Sequence, residues 1–396
     1  MRENVTGQRN TLPNSLKNSK HLAIFLTQPD GVYLSKGENG FEDALPYQIV
    51  GTSYNPRNWG KWGQTLLRKP NYSYYSGGNY TWKNLSKRKM STNNRNELGT
   101  VELLDIEQDL PLAIIAKHNN PAGIGEAGTL EKAYLNSVAA DPYASHGGVI
   151  ALNRRCDEAT AQAIVDSGFR DVVAAYGGFD RRALKILRKA QKTKMGIINV
   201  TNRSTFPYRI KYVEGGIVLL PKKDYGRPLD IDKEFVPTLK KPTAEERAIC
   251  YRLENYVRIV NSNGLVIGNA IVDPDTMEIK ESIMYGPGTD IKRSGAAHLA
   301  AWRTNDSKMI QDFSAYRQRV KGRKIIPEER TNMKRAYFAS DASFFQTDAL
   351  EELNSTGIMR GGIGACGSVN DRKIFDWFDD HNMFFITGIP RYLKHD

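Results

Sequence analysis

The clearest pattern along the chain is an apolar run that ends in two polar, chemically versatile side chains. Leu112 to Ala116 is a run of strand length, and it leads directly into Lys117 and His118. Two asparagines, a proline and a glycine follow, and residues of these types end a strand and turn the chain. Ligands of open α/β sheets bind beyond the ends of strands, so this stretch is the first candidate for a functional site. Alternatively, these polar side chains only end the strand and have no catalytic or binding role.

From residue 100 onward, apolar runs of strand length alternate with segments of helical periodicity, which predicts crossover units and a mainly parallel or mixed sheet. The predicted strands cover residues 21–26, 112–117, 147–152, 171–176, 196–200, 215–220, 265–272, 335–340, 359–364 and 383–387. Helices are predicted at 129–139, after the cap Asp157, around Ala183, Leu184 and Leu187, after the capping box of Thr243 and Glu246, at 294–303, and after Ser368 and Asp371.

These elements divide the chain into three predicted segments. Residues 1–20 are rich in Asn, Ser, Thr and Lys and are expected to form a flexible tail. Residues 21–222 form a first α/β domain, and residues 223–396 form a second one. The boundary falls in a segment with two prolines, a glycine and two lysines, which is typical of a linker. Residues 29–99 show little periodicity.

The composition is that of a globular protein with room for a large core. The chain has 396 residues, of which 40% are hydrophobic and 25% are charged, and this length accommodates two or more domains. No stretch approaches the roughly 18 consecutive apolar residues of a membrane helix. The first twenty residues lack the apolar core of a signal peptide, which predicts a cytoplasmic protein without a membrane partner.

The net charge of +12 is compatible with nucleic acid, lipid or small anions as partners. The lysines and arginines are spread in short pairs, and the longest basic run is Lys87-Arg88-Lys89. No RNA-binding signature is present, so a nucleic-acid partner is not expected. A solvated basic surface explains most of these residues.

Two kinds of chemistry are excluded by missing motifs. Zinc deaminases need His-x-Glu and Cys-x-x-Cys, whereas none of the six histidines is followed by Glu at the second position. Cys156, Cys250 and Cys366 are too far apart for a metal knuckle or a disulfide framework, so no metal is expected and the thiols are predicted to be buried and reduced. A Walker-type phosphate loop is also absent, which argues against ATP-driven transfer.

The stretch Lys117-His118-x-x-Pro121-x-Gly123 resembles the signature of AICAR transformylase, the folate-dependent formyl-transfer domain of the late purine pathway. Further blocks follow in that family's order, namely Asp141–Gly148, Val260–Asn263, Ser340–Ala342, Gly367–Ser368 and Thr387–His395. The resemblance covers residues 60 to 396 approximately, and it is thin before residue 100. It implies two cytidine-deaminase-like, three-layer α/β domains with mixed sheets, and a homodimer with its sites at the subunit interface.

The resemblance implies catalytic roles for Lys117, His118 and Asn263. His118 suits a general base because imidazole titrates near neutral pH, and Lys117 can supply charge or a proton. Adjacent residues of an ideal strand point to opposite faces, so both reach one substrate only if the following turn breaks the pleat. An amide such as that of Asn263 both donates and accepts, which suits a carboxamide beside the attacking amine. A residue that stops a helix is the alternative for Asn263.

The resemblance also implies binding residues. Substrate-binding positions are Arg68, Arg391, Phe344, Asp348, Gly147 and Gly148, with the two arginines on the substrate phosphate. Positions implied for the folate are Asp171, Asn120, Pro121 and Gly288. From the residues alone, Arg391 is equally a solvated tail, Phe344 is equally a core residue, and Asp171 is equally a cap of a turn.

The implied function is transfer of a formyl group from 10-formyltetrahydrofolate, as cosubstrate, to the 5-amino group of AICAR, giving FAICAR in de novo IMP biosynthesis. The family's IMP cyclohydrolase domain is missing from the resemblance, so a separate cyclohydrolase is expected to act next. Two departures leave alternatives open: Gly286–Arg293 lacks the family's Gln and Ser, and His146 stands where relatives often have Phe. The alternatives are a formyltransferase for an AICAR-like nucleotide in a specialised pathway and a catalytically silent nucleotide-binding homologue.

Overall fold

A computed structural model of the chain describes residues 24–27, 45–52, 82–85, 109–118, 120–141, 144–168, 170–190, 195–200, 208–213, 216–221, 234–305, 334–389 and 391. Arg68, the predicted tail and the predicted domain boundary at residues 222 and 223 lie outside these ranges. None of the helices in the described part of the chain is both long and apolar enough to span a membrane.

The described elements before residue 234 are mostly strands. They are β1 (Ile24–Thr27), β2 (Leu45–Thr52), β3 (Trp82–Asn84), β4 (Leu112–Lys117), β5 (Asn120–Glu126), α1 (Leu130–Ala140), β6 (Val149–Leu152), α2 (Glu158–Asp166), β7 (Val172–Tyr176), α3 (Arg181–Ala190), β8 (Gly196–Val200), β9 (Tyr208–Val213) and β10 (Gly216–Pro221). The predicted cap of α2 is confirmed, because the Asp157 side chain accepts a hydrogen bond from the backbone N–H of Thr160.

The second half begins with the predicted capping box. The Thr243 hydroxyl accepts from the backbone N–H of Glu246, and the Glu246 carboxylate accepts from that of Thr243. The elements are α4 (Ala244–Val257), β11 (Gly264–Val272), β12 (Ile279–Thr289), α5 (Arg293–Asn305), β13 (Ala336–Ser340), α6 (Asp348–Asn354), β14 (Met359–Gly364), α7 (Asp371–Asp380) and β15 (Phe384–Ile386).

Eleven strands form one mixed sheet in the order β15-β14-β13-β11-β12-β5-β4-β6-β7-β8-β3. Each half contributes an antiparallel hairpin, β4–β5 or β11–β12, followed by three mutually parallel strands. The halves meet where β12 pairs with β5 in antiparallel orientation, and the strand order is symmetric about this junction apart from β3, which adds a sixth strand to the first half. The prediction of an α/β fold with a mixed sheet is confirmed. A second, antiparallel sheet has the order β1-β2-β10-β9.

Helices cover both faces of the large sheet. Leu112, Ile114 and Ala116 of β4 lie in the same buried cluster as residues of α4, whereas Ala113 and Ile115 pack with α1, α2 and α3. In the second half, a third cluster joins α5, α6 and α7 to the sheet. This alternation along β4 is the period of two that a strand buried on both faces requires.

Several elements were not predicted from the sequence, and the expected direct passage from β4 to a helix is wrong. The turn after Lys117 closes a hairpin, β5 begins at Asn120, and β5 precedes α1. Gly123 and Gly125 of β5 allow α1 to approach, since an added Cβ would lie 2.0 Å from the Ser137 carbonyl oxygen and 2.3 Å from that of Ala133. The strands β2, β3, β9 and β12 and the helix α6 were likewise unassigned.

Candidate functional site

Strand pairing brings the polar segments of both halves to one edge of the large sheet, which we call the site edge. Ala116 at the end of β4 pairs with Val149 at the start of β6, and Val149 pairs with Val172 at the start of β7. In the second half, Leu265 at the start of β11 pairs with Ser340 at the end of β13. The site edge therefore carries the predicted residues Lys117, His118, Asn120, Pro121, Gly147, Gly148, Asp171, Asn263, Gly288, Phe344, Asp348 and Arg391 on or beside its strand ends.

The turn of the β4–β5 hairpin carries Lys117 and His118. Lys117 is the last residue of β4 and is half-buried, whereas His118 is exposed and has a φ of 52°. A residue other than glycine is uncommon in this left-handed region, and such strained residues cluster at functional sites. The alternation of the strand ends at this residue, so the pleat is broken as a shared substrate would require. The catalytic roles of both residues stay predictions.

Asn120 connects the two halves at the site edge. Its side-chain Oδ1 accepts from the backbone N–H of Asn261 at 3.2 Å, and its Nδ2 donates to the Thr289 hydroxyl at 3.4 Å. Asn261 precedes β11 and Thr289 ends β12. These contacts give Asn120 a bridging role, while contact of Asn120 and the buried Pro121 with the folate stays a prediction.

Asn263 is held by the segment between β12 and α5. Its Nδ2 donates to the carbonyl oxygens of Ile291 at 3.0 Å and Asp290 at 3.3 Å, and its Oδ1 accepts from Nη2 of Arg293 at 3.3 Å. The amide nitrogen is thus engaged within the protein. An amide oxygen accepts two hydrogen bonds, so one lone pair of Oδ1 is left over by these contacts.

Arg293, which donates to Asn263 Oδ1, belongs to a buried ion pair. Arg293 pairs with Asp341, whose side chain is fully buried. The other carboxylate oxygen of Asp341 accepts from the Ser262 hydroxyl and the Gly264 backbone N–H, both at 2.7 Å. In the sequence, Arg293 is only the end of the Gly286–Arg293 segment that departs from the family, and Asp341 is only part of the Ser340–Ala342 block. No local pattern indicates the pair, because 48 positions separate the two residues.

A second cluster lies where β6 and β7 begin and contains Lys117, His146, Arg170 and Asp171. Desolvation of its ring, together with the cations Arg170 and Lys117, lowers the pKa of His146 from its usual value, while Asp171 acts in the opposite direction. Burial raises the pKa of Asp171, and Lys117 and His146 partly oppose that shift. Arg170 is buried and donates to the Ser167 hydroxyl at 3.2 Å, and no sequence motif indicated this residue.

Substitutions in this cluster are expected to move the pKa of His146 in opposite directions. Lys117→Ala removes a repelling cation and should raise it, whereas Asp171→Asn removes a stabilising anion and should lower it further. The measurement is a pH titration of the His146 ring proton by NMR, assigned by its loss in His146→Ala. Because the folded pKa lies below the unfolded value of about 6.5, the unfolded state binds more protons just below pH 6.5. The contribution of His146 to stability therefore falls as the pH drops through that window. Unchanged titration in both variants would contradict the arrangement.

The loop before β6 is anchored to the second half. The Asp141 carboxylate accepts from the backbone N–H of Ala144 at 2.9 Å and pairs with Nε of Arg303 on α5 at 3.3 Å. The loop ends at Gly147, with a φ of 70°, and Gly148, which packs against β4. Substrate binding by these two glycines stays a prediction, and their observed roles are in the turn and the packing.

The predicted contact of Phe344 with the substrate is corrected by the structure of the segment after β13. Phe344 is 2% exposed, and its ring packs edge-on against Phe338 and Phe385 at centroid distances of 5.8 and 6.2 Å. It is therefore a core residue and does not present its face to a ligand. The next residue, Phe345, is 60% exposed and is the aromatic side chain of this segment that a ligand can reach. Asp348, the first residue of α6, is exposed.

Arg391 lies beside the ends of β13 and β14. Its Nη2 donates to the Ser343 hydroxyl at 3.3 Å, and an added Cβ at Gly367 would lie 3.7 Å from the same nitrogen. The side chain is exposed, so it is open to an anion. Gly288, predicted to contact the folate, is closely packed, since an added Cβ would lie 1.7 Å from the Ala296 carbonyl oxygen. Both binding roles stay predictions.

The described residues contain no group of three or more His, Cys, Asp or Glu side chains placed to hold a metal ion. Cys156 and Cys250 are buried and Cys366 is half-buried, and all three are free thiols.

The sequence profile of the AICARFT/IMPCHase bienzyme family matches residues 62–277, which is more than half of the chain. Similar proteins include three named bifunctional purine biosynthesis protein PurH. The one from Acetivibrio thermocellus is 32% identical over 321 residues, covering 79% of this chain and 54% of its own length. The one from Fusobacterium nucleatum is 26% identical over 338 residues, covering 85% and 59%. The one from Bacillus mycoides is 26% identical over 311 residues, covering 78% and 53%.

The chain spans about half the length of these curated relatives. The match includes the β4–β5 hairpin, the cluster around His146 and the turn at Asn263. The similarity thus extends to both sides of the junction between the two halves. On these grounds the chain belongs to the AICARFT/IMPCHase bienzyme family.

Proposed function

We propose that this protein transfers a formyl group from 10-formyltetrahydrofolate to the 5-amino group of AICAR, giving FAICAR. The observation that carries the proposal is the meeting of the Lys117-His118 turn and the Asn263 turn at one sheet edge in a member of this family. These segments come from different halves, and Asn120 connects them through Asn261 and Thr289.

In the proposed mechanism, the amine nitrogen of AICAR attacks the formyl carbon, and the new C–N bond gives a tetrahedral oxyanion. His118 accepts the amine proton as general base. Lys117 stabilises the oxyanion and supplies a proton to the folate nitrogen as its bond to the formyl carbon breaks. The free lone pair of Asn263 Oδ1 accepts from an N–H of the acceptor carboxamide, which orients the attacking amine.

In the proposed binding mode, charged side chains hold the phosphate of AICAR and the ring of the folate. Arg391, with Arg68, binds the phosphate of AICAR, because a guanidinium binds phosphate bidentately and stays charged. Asp171 accepts N–H bonds from the pterin-like ring of the folate, with Asn120, Pro121 and Gly288 nearby, and Gly147, Gly148 and Asp348 line the acceptor. We further propose a cytoplasmic homodimer, each chain with two α/β domains at residues 21–222 and 223–396, and a different protein as the IMP cyclohydrolase for the next step.

The test is a spectrophotometric assay of the purified chain with AICAR and 10-formyltetrahydrofolate, following release of tetrahydrofolate. Turnover that depends on both substrates supports the proposal. Absence of turnover, with AICAR binding measured by calorimetry, would overturn it and favour a silent nucleotide-binding homologue.

Arg391→Ala is expected to raise KM for AICAR about 10- to 100-fold, the loss of one or two charge-assisted hydrogen bonds. The effect on kcat should be smaller, because the phosphate does not react. Steady-state kinetics with AICAR, and with its dephosphorylated nucleoside, measure this. The nucleoside should bind wild type and variant alike, and a penalty that persists with the nucleoside would contradict a phosphate role. Arg372→Ala, which removes an exposed arginine paired with Asp376 on α7, is the control.

A second candidate acceptor is an AICAR-like nucleotide. It is favoured by His146, an ionisable side chain beside Lys117 and Asp171, because the resemblance implies a Phe at this position in many family members. A higher kcat/KM with such a nucleotide than with AICAR would support this alternative.

A further inference from the structure

We propose that Asp341 is a positioning residue for the acceptor site, acting on Asn263 through Arg293. This inference rests on the proposed formyl transfer for its kinetic consequence, but the structural part stands without it. Asp341 directly follows β13, in the loop at the site edge.

The carboxylate of Asp341 collects three donors from two other segments. One oxygen pairs with Nη1 of Arg293, and the other accepts from the Ser262 hydroxyl and the Gly264 N–H at 2.7 Å each. The side chain is fully buried. A buried carboxylate needs such compensation, and its hydrogen bonds fix the groups that donate them.

The donors of Asp341 lie on both sides of Asn263. Ser262 and Gly264 are its chain neighbours, while Arg293 donates to the Gly264 carbonyl at 2.9 Å and to Asn263 Oδ1 at 3.3 Å. The carboxylate thus fixes the backbone of the turn directly and the side chain of Asn263 through the guanidinium. Arginine suits this place because its planar fork spans several acceptors at once, which a lysine cannot do.

The inferred consequence is a loss of catalysis without a loss of the fold. Asp341→Asn keeps the volume of the side chain but removes the charge that holds Arg293, so the Asn263 amide should lose its fixed orientation. Misplacement of a reacting group by about 1 Å costs on the order of 100-fold in rate. We expect kcat to fall by about this factor, with a smaller change in KM for AICAR.

A matched control separates positioning from general stability. Glu126 is also a fully buried carboxylate with an arginine and a serine as partners, Arg252 at 3.0 Å and Ser282 at 2.7 Å. It lies at the far end of β5, away from the site edge. Glu126→Gln should lower the melting temperature as Asp341→Asn does, yet leave kcat unchanged.

A double-mutant cycle tests the path through Arg293. If Asp341 acts through the guanidinium, Asp341→Asn should cost little more in kcat once Arg293→Met is present. Arg293→Lys keeps the ion pair with Asp341 but loses the fork, so it should reduce kcat in a folded protein, and it serves if Asp341→Asn does not fold. Full kcat in Arg293→Lys, or multiplying losses in the cycle, would overturn the inference.

A readout without turnover separates this inference from the proposed function. The side-chain amide signals of Asn263, assigned by their loss in Asn263→Ala, should move toward the positions of a solvated amide in Asp341→Asn but not in Glu126→Gln. Wild-type protein without activity would overturn the proposed function alone. Unmoved amide signals in Asp341→Asn would overturn the positioning role, whatever the activity.

Discussion

Replacement of His118 by alanine is expected to lower kcat for formyl transfer by about 10²- to 10⁴-fold, the range that a positioned general base contributes. The side chain is exposed at the tip of the β4–β5 hairpin, so its loss removes a proton acceptor without opening a cavity. Lys117→Ala should reduce kcat through a different step, stabilisation of the oxyanion. His118→Ala should keep the melting temperature of the wild type. The measurement is kcat from steady-state assays at saturating AICAR and folate.

The control for His118→Ala is another exposed histidine. His298 lies on α5 and hydrogen-bonds Glu352 of α6 at 2.8 Å, and its replacement by alanine should leave kcat unchanged. A His118→Ala variant that turns over at the wild-type rate would remove His118 from the mechanism. Equal losses in His118→Ala and His298→Ala would instead indicate a general effect of the substitutions.

Gly288→Ala is expected to destabilise the protein by about 3 kcal/mol, at the upper end of the usual cost of overpacking. The added Cβ would lie 1.7 Å from the Ala296 carbonyl oxygen and 2.7 Å from its carbon. These are backbone atoms of α5 and cannot rotate away, so the helix itself must shift. The free energy of unfolding from urea denaturation measures the effect.

Gly128 provides the control, since no atom lies within 4 Å of a Cβ added there. Gly128→Ala should change stability by about 0.5 kcal/mol or less, as is usual for a surface substitution. If Gly288→Ala instead kept full stability and raised KM for 10-formyltetrahydrofolate, the folate-binding role predicted from the sequence would be right and the packing role wrong.

Elements with strong local signals could be predicted from the sequence. The apolar run of β4 and the capping box of α4 were found at their observed positions, because each signal lies within a few consecutive residues. The helix predicted after Ser368 and Asp371 is α7, which buries Ile374, Trp377 and Phe378 on one face.

Elements whose stability comes from pairing could not be predicted in the same way. The β12 strand contains Gly286, Pro287 and Gly288, which locally indicate a turn, yet it pairs with β11 along nine positions. The β5 strand begins with Asn120 and Pro121 and contains two glycines, but it lies between β4 and β12. In both strands, the tertiary contacts override a weak local preference.

The candidate site likewise has features that the sequence indicated and features that only the tertiary structure decided. The sequence by itself determined which side chains of catalytic potential lie at the ends of strands, and its motifs indicated the family. Only the tertiary structure brought the Lys117 turn, the Asn263 turn and Arg391 to one edge, buried Phe344, and joined Arg293 to Asp341 across 48 positions. The physical reason is that strand ends are encoded locally by a few residues, whereas the register of a sheet and the partners of a buried charge depend on segments far apart in the chain.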